Sequence, residues 1–312
     1  MKKVSVVVPM YNEQEVAAIC YDRLTQVLSK LDEYEYEIIC VNDGSKDKTL
    51  EVLEKLAIKD KNFKIISFSR NFGHQAAVTA GMRQALGEAI VIIDADMQDP
   101  PECIPEMIKL WEQGNDVVYA TRTHRKGESK FKLFTAKAFY KALNKMSEVK
   151  IPMNTGDFRL IDKKVADVIC GLPEHNKFLR GLGSWVGFKQ IPYEYERQER
   201  VAGKTKYPLK KMIKLALDGI INFSSKPLKI IGGIGLVSIL LSVLILIYAL
   251  LSYIFEWNYL MPGWTSIMVT ITFVSGVQFL TIWMLSEYVS RIYDEVRNRP
   301  EYIIEKTENI DK

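Results

Sequence analysis

Five short apolar runs recur through the first 120 residues, each ending in polar residues and most leading into a helical pattern. Val4 to Val8 closes at Pro9, ahead of a helical pattern from Glu13 to Leu31. Glu37 to Val41 ends at Asn42-Asp43-Gly44-Ser45, and a helix is expected from Thr49 to Lys59. Lys64 to Phe68 ends at Ser69-Arg70-Asn71-Phe72-Gly73, followed by a helix from His74 to Leu86. Ile90 to Ile93 runs into Asp94 and Asp96, a helix continues to Gln113, and Asp116 to Ala120 ends at Thr121-Arg122. Such alternation predicts an α/β fold: a parallel sheet wrapped by helices and joined by right-handed crossovers. The ends of parallel strands share one edge. Asn12, Glu13, Asp43, Arg70, Asp94, Asp96 and Arg122 therefore converge on one crevice, where open α/β sheets bind their ligands. Residues serving only solubility would be scattered over both edges.

The fourth run is the most informative. Ile90-Val-Ile-Ile93 has no polar alternation, as expected of a strand buried on both faces. It leads into Asp94-Ala-Asp96-Met-Gln98-Asp99-Pro100-Pro101. The prolines suit the first turn of a helix, with Asp99 as its N-cap. Two carboxylates and an amide oxygen so close together repel one another unless a cation sits among them. Asp94, Asp96 and Gln98 thus form a candidate site for Mg²⁺ or Mn²⁺, hard cations that take oxygen ligands and share substrate phosphates. An acidic turn at a strand end is the plainer alternative.

Composition narrows the class. At 312 residues and 48% apolar content, the chain holds one large domain and something more. A formal charge of +4 gives no reason to expect a nucleic-acid partner. Cys20, Cys40, Cys103 and Cys170 are widely spaced, as in reduced thiols rather than a disulfide or zinc framework. The chain starts on a strand-like run, so no cleavable signal peptide is expected.

Val6-Val-Val-Pro-Met-Tyr-Asn-Glu13, Val41-Asn-Asp-Gly-Ser45, Arg70-Asn-Phe-Gly-His74 and Asp94-Ala-Asp-Met-Gln98 resemble the signature segments of family 2 glycosyltransferases. Within that family the chain is most similar to polyprenyl-phosphate sugar transferases, of the dolichyl-phosphate mannose synthase and bactoprenol glucosyltransferase type. The resemblance implies a GT-A fold, a Rossmann-like nucleotide-diphospho-sugar transferase domain. It also implies donor binding by Pro9, Tyr11, Glu13, Asp43, Arg70, Asp94 and Asp96, with the uridine held by Tyr11, Glu13 and Asp43. On residue chemistry alone, Tyr11 offers a ring to stack and Glu13 a carboxylate to hydrogen-bond. Asp43-Gly44-Ser45 also reads as an Asx turn, and Arg70 either pairs with the nucleotide or braces the sheet edge. His74 reads as a helix-start residue rather than a catalytic base. His124 and His175 read as surface or loop residues.

Past residue 121 the sheet pattern weakens. Arg122-Thr-His-Arg-Lys-Gly-Glu-Ser-Lys-Phe-Lys132 is a basic loop, either a solvated surface or a phosphate contact through Arg122 and Arg125. Asn154-Thr-Gly-Asp157-Phe-Arg159 resembles the family's acceptor-side segment, which implies that Asp157 lies beside the reacting sugar. Arg200-Val-Ala-Gly203-Lys-Thr-Lys206-Tyr207 is a second basic loop, similar to the Ala-Gly-x-Ser-Lys-Tyr segment of the bactoprenol subgroup, with Thr205 in place of serine. Arg122, Arg125, Arg200 and Lys206 are the candidate acceptor-phosphate residues. Asp96 and Asp157 are the candidate catalytic residues, Asp157 either as base or as the group that orients substrate.

The C-terminal third predicts membrane attachment. At 100° per residue, Leu209, Met212, Ile213, Ala216, Leu217, Ile220 and Phe223 share one helix face opposite Lys210, Lys211 and Lys214. That face fits the membrane interface, or else the soluble domain. Ile230 to Phe255 and Trp257 to Ser286 carry no charge and exceed the roughly 20 residues that span a bilayer. Lysines and arginines flank both runs, while the turn between them holds only Glu256. By the positive-inside rule, the catalytic domain and both termini face the cytoplasm of a bacterial cell membrane. The expected organisation is a GT-A domain over 1–206, a juxtamembrane amphipathic segment over 207–226, a two-helix hairpin over 227–289 and a tail over 290–312.

The resemblance implies inverting transfer of a hexose, glucose foremost, from a UDP-sugar to a polyprenyl phosphate. N-acetylglucosamine, mannose and 4-amino-arabinose are the alternative sugars. Expected partners are the UDP-sugar, the polyprenyl phosphate and the membrane, with a homo-oligomer and a separate flippase also anticipated. A processive polysaccharide synthase would carry a Gln-x-x-Arg-Trp segment and more spans; the sequence has neither. A non-catalytic scaffold that recruits a flippase would not need the whole donor-site set.

Overall fold

The computed structural model describes residues 1–123, 152, 155–174, 177–196 and 263–310, with isolated positions 233, 234, 237, 240, 244, 247, 251 and 255. Strands β1 (Lys2–Met10), β2 (Tyr34–Asn42), β3 (Phe63–Phe68), β4 (Ala89–Ile92) and β5 (Val117–Arg122) alternate with helices α1 (Ala17–Leu28), α2 (Thr49–Lys59), α3 (His74–Gln84) and α4 (Ile104–Glu112). Beyond them come β6 (Thr155–Asp162), α5 (Lys163–Gly171), α6 (Leu179–Trp185), β7 (Gln190–Tyr195), α7 (Trp264–Arg297) and β8 (Ile304–Glu308).

These strands form one eight-stranded sheet in the order β7-β5-β6-β4-β1-β2-β3-β8. β1 runs parallel to β2 and β4, and β2 parallel to β3, as the alternation predicts. The sheet is nevertheless mixed. β6 is antiparallel to both β4 and β5 and separates them, and β8 is antiparallel to β3. Because β6 runs backwards, its first residues lie at the edge where β4 and β5 end. Asp157 reaches the crevice that way.

The lack of alternation along the central strands has a simple cause. Val4, Val6 and Val8 face a core shared with Leu24 of α1, Leu53 of α2 and Met107 of α4. Val7, Ile39 and Ile90 face a second core shared with Val78 of α3, Val165 of α5 and Leu182 of α6. Helices cover both faces, so both sets of side chains are apolar. α3 packs closely: a Cβ at Gly81 would come within 2.3 Å of Val7 Cγ1.

β2 carries a charge embedded in this sheet. Glu37, 2% exposed, accepts hydrogen bonds from Ser5 Oγ (2.5 Å) and Leu86 N (2.7 Å), and its Oε2 lies 2.6 Å from Lys64 Nζ. Burial works against its charge, but Lys64, Ser5 and Leu86 outweigh that and hold the carboxyl below its usual range. Stability from this group is present above the ordinary glutamate pKa and is lost as pH falls through the depressed one. Lys64→Met strands the carboxylate and is expected to cost about 3–5 kcal/mol, read as a large drop in melting temperature. An unshifted melt contradicts that role.

Two other expectations change. Asp99 does not cap the following helix: Pro100 occupies the N-cap of a single 3-10 turn, Pro101–Cys103, and α4 begins only at Ile104. The tail is not merely an extension, because residues 304–308 return to the sheet as β8. Among the described residues, no helix is long and apolar enough to cross a membrane. Most of the first expected span lies outside them, as do the juxtamembrane segment and several side chains in the first turns of α7.

Candidate active site

Two strand-end loops at the carboxyl edge lock together. Asn12 N donates to Ser45 Oγ (2.9 Å), Lys46 N to Asn12 Oδ1 (2.8 Å) and Glu13 N to Thr49 Oγ1 (2.8 Å). Tyr11 and Glu13 are half-buried beside this lock, while Pro9 is buried within β1 opposite Val41. Gly44, at φ 61, permits the approach of the next loop: a Cβ there would lie 2.3 Å from the Arg70 carbonyl carbon.

Asp43 is turned inward to that loop. Its carboxylate accepts from Phe72 N (2.6 Å), Gly73 N (3.0 Å to Oδ2) and Asn71 Nδ2 (2.9 Å). Burial raises its pKa against the opposing pull of those backbone donors. Arg70 is exposed, lies over the Phe72 ring at 4.0 Å and donates to the Asn71 carbonyl at 3.1 Å. The Asx-turn reading of 43–45 thus understates Asp43, which organises a loop 29 residues away in sequence.

At the centre, Asp94 and Asp96 follow β4, with Gln98 N donating to Asp96 Oδ1 at 3.2 Å. His74 is the first residue of α3, as its position predicts, and it also enters this centre. Its Nε2 lies 3.7 Å from Asp94 Oδ1 and 3.3 Å from Asp157 Oδ2, without an aligned hydrogen bond to either. Burial disfavours a charged ring, but Asp157 and Asp94 outweigh it and push the imidazole up to about 9. An imidazolium that holds its proton this tightly is a poor base. Burial drives the Asp94 carboxyl up to about 6, His74 opposing and the Asp157, Asp99 and Asp96 charges adding.

Asp157 has the opposite environment. Arg180, on α6, grips it with two bonds of 2.8 Å, Nε to Oδ1 and Nη2 to Oδ2. Burial again works against the charge, yet Arg180 and His74 hold this carboxyl well below the usual range. Beneath it, buried Arg159 donates to the carbonyls of Gly156, Asp157 and Leu179 at 3.2–3.3 Å, stitching β6 to α6. Burial pulls that guanidinium down to about 10.

A second cluster flanks the first. Asp99, 1% exposed, accepts the Tyr195 hydroxyl and lies 3.5 Å from Arg122 Nη2; Arg122 Nε donates to the same hydroxyl at 3.2 Å. Arg122 therefore stands at the crevice with its charge matched by Asp99. Arg125, Arg200 and Lys206 lie outside the described residues. Sequence reasoning passed over Arg180, Arg159 and Tyr195. The alternation in Gln190-Ile-Pro-Tyr-Glu-Tyr195 signals a strand that ends in a crevice tyrosine; nothing local marks Arg180.

Among the described residues, no three His, Cys, Asp or Glu side chains form a group arranged to hold a metal. The two carboxylates and the Gln98 amide are nevertheless all-oxygen donors in an acid-rich pocket that raises Asp94. Such a set fits a Mg²⁺ or Mn²⁺ ion that takes its remaining ligands from a substrate diphosphate and water.

An α/β sheet with its charged groups gathered on the carboxyl edge defines a ligand-binding enzyme scaffold, and sequence comparison supplies the family. The chain belongs to glycosyl transferase family 2, whose model matches residues 5–170, from β1 through Asp157 to the end of α5. It is a glycosyltransferase with the GT-A type of α/β domain. The chain is 50% identical to an uncharacterized glycosyltransferase, YkcC, of Bacillus subtilis, over 98% of this chain and 94% of that one. It is 43% identical to the SfII prophage-derived bactoprenol glucosyl transferase of Shigella flexneri, over 98% of both chains. A prophage bactoprenol glucosyl transferase homolog of Escherichia coli is also 43% identical, over 97% of this chain and 99% of that one.

Proposed function

We propose that this enzyme transfers glucose from UDP-glucose to a polyprenyl phosphate, undecaprenyl phosphate, at the cytoplasmic face of a bacterial cell membrane. The observation that carries this reading is the 43% identity with a bactoprenol glucosyl transferase over 98% of both chains. That likeness runs beyond the catalytic edge and through the apolar C-terminal third. A phosphate oxygen of the lipid attacks C1 of the sugar, the bond from C1 to the nucleotide diphosphate breaks, and configuration at C1 inverts. The attacking phosphate is already anionic, so no general base is required. The environment of Asp157 agrees: a carboxylate clamped by Arg180 orients substrate and offsets charge better than it accepts a proton. Asp94, Asp96 and Gln98 would hold the cation, which when bound supplies positive charge on the diphosphate as the nucleotide departs. Arg122, with Arg125, Arg200 and Lys206 from the two basic loops, would receive the acceptor phosphate.

The direct test is incubation of the full-length protein with Mg²⁺, undecaprenyl phosphate and each labelled UDP-sugar in turn. Label from UDP-glucose should enter the lipid phase as a sugar-phosphate ester. Label entering only from N-acetylglucosamine, mannose or 4-amino-arabinose donors would replace the sugar. Transfer from none would favour the scaffold.

The membrane hairpin draws support from the topology of the sheet. The chain leaves the sheet after β7 and returns as β8 on the edge of β3. An excursion with both ends on one domain crosses a bilayer an even number of times or not at all. Ile234, Val237, Leu240, Leu244, Ile247 and Leu251 are helical and exposed, and so are Phe273, Phe279 and Trp283 of α7, as expected of lipid-facing surfaces. A cysteine replacing Asn258 should be labelled only from outside sealed cells, and one replacing exposed Glu305 only from the cytoplasmic side. Of the native thiols Cys20, Cys40 and Cys103 are buried, and a Cys170→Ser background removes the partly exposed fourth. Labelling of both new cysteines from the same side would refute the hairpin.

A further inference from the structure

The C-terminal tail is fastened to the catalytic domain by more than strand pairing. Tyr302 stacks on Phe68 with centroids 5.0 Å apart, and Arg83 of α3 donates to its hydroxyl at 3.2 Å. Asn309 Nδ2 reaches the carbonyls of Ala57 and Phe63, each at 2.8 Å. A further contact of the tail involves Glu301. Its Oε2 accepts from Lys177 Nζ at 3.1 Å, the two side chains being 9% and 2% exposed. Lys177 Nζ also donates to Glu174 O at 3.0 Å, and Arg83 Nη2 stands 3.5 Å from the same Glu301 oxygen.

Lys177 begins a short segment that ends on Asp157. Phe178 is buried, Leu179 N donates to Gln75 Oε1 at 3.0 Å, and Leu179 O accepts from Arg159 at 3.2 Å. The next residue is Arg180, which grips Asp157. We propose that Glu301 is a positioning residue of the reaction centre: its buried pair with Lys177 seats residues 177–180 so that Arg180 clamps Asp157. The inference rests on the reading of Asp157 as the group that orients substrate. It gives the returning tail a task beyond closing the sheet edge. The end of the apolar C-terminal third is wired to the catalytic carboxylate, so the clamp is complete only with the tail docked.

A buried ammonium without its counterion disturbs its own surroundings first. In the full-length protein, Glu301→Gln should therefore accelerate amide exchange over residues 179–185 and leave β1 and β2 protected. It should also lower kcat about tenfold, the scale of one weakened hydrogen bond to a charged group, with the KM for UDP-glucose unchanged. Lys177→Met/Glu301→Gln leaves no buried charge stranded, since Arg83, the other cation beside Glu301, is partly exposed to solvent, and it should recover both exchange protection and kcat. Unchanged exchange and unchanged kcat in Glu301→Gln overturn the proposal. So does faster exchange across the whole sheet, which means general unfolding, or a double variant that regains protection but stays slow. A wild-type protein that transfers no glucose removes the reading of the reaction, while the exchange measurement still decides whether Glu301 seats the clamp.

Discussion

Asp96→Asn is expected to lower transfer roughly a thousandfold at millimolar Mg²⁺. A bound cation is worth several kcal/mol to a departing phosphate, and each 1.4 kcal/mol is about tenfold. The substitution keeps the shape of the turn, in which Gln98 N donates to Asp96 Oδ1, and removes one of the two charges that would hold the ion. The fold should survive, because Asp96 is only half-buried and asparagine keeps the shape of its side chain. Raising the Mn²⁺ concentration should restore part of the rate, since the defect is in affinity. Full turnover by the wild type in excess chelator would show that the acidic pair works without a cation.

Asp157→Asn should lower kcat by about 10²–10³, the range for removing one preorganised electrostatic group from an active site. Its cause differs from that of Asp96→Asn, so excess metal should not rescue it. The variant also leaves Arg180 and His74 facing a neutral amide, in contacts that now measure 2.8 and 3.3 Å. Some stability is lost with the charge, and a melting curve must accompany the rate. Asp157→Asn/Arg180→Gln removes the stranded guanidinium, while His74 keeps Asp94 beside it; it should regain melting temperature without regaining turnover. A double variant with wild-type turnover would reduce Asp157 to a structural carboxylate.

The pairing of His74 with these carboxylates shows the limits of a linear reading. Its place at the head of α3 follows from the sequence around it. Its chemistry does not, since that depends on Asp94 from β4 and Asp157 from β6 meeting over the N-terminus of α3. Asp99 shows the same limit from the other side. Placed before two prolines it reads as a helix cap, yet the fold brings Tyr195 and Arg122 to it and so gives it different partners.

Local order alone determined the alternation of strands and helices over the first 120 residues, the apolar central strands and the gathering of charge at their ends. Those properties depend on short-range periodicity and on the direction shared by parallel strands, both of which are written in neighbouring residues. The motif around Asp94 and Asp96 was legible for the same reason, whereas Asp157 was marked only by the resemblance of its segment to the family's acceptor side. Only the tertiary structure decided that β6 enters backwards between β4 and β5, that Arg180 rather than a nearer residue holds Asp157, and that residues 304–308 come back to cover β3. Each is a contact between segments far apart in the chain. Such contacts are selected by which buried charge finds a partner and which sheet edge is left uncovered, and neither can be known until the rest of the chain is in place.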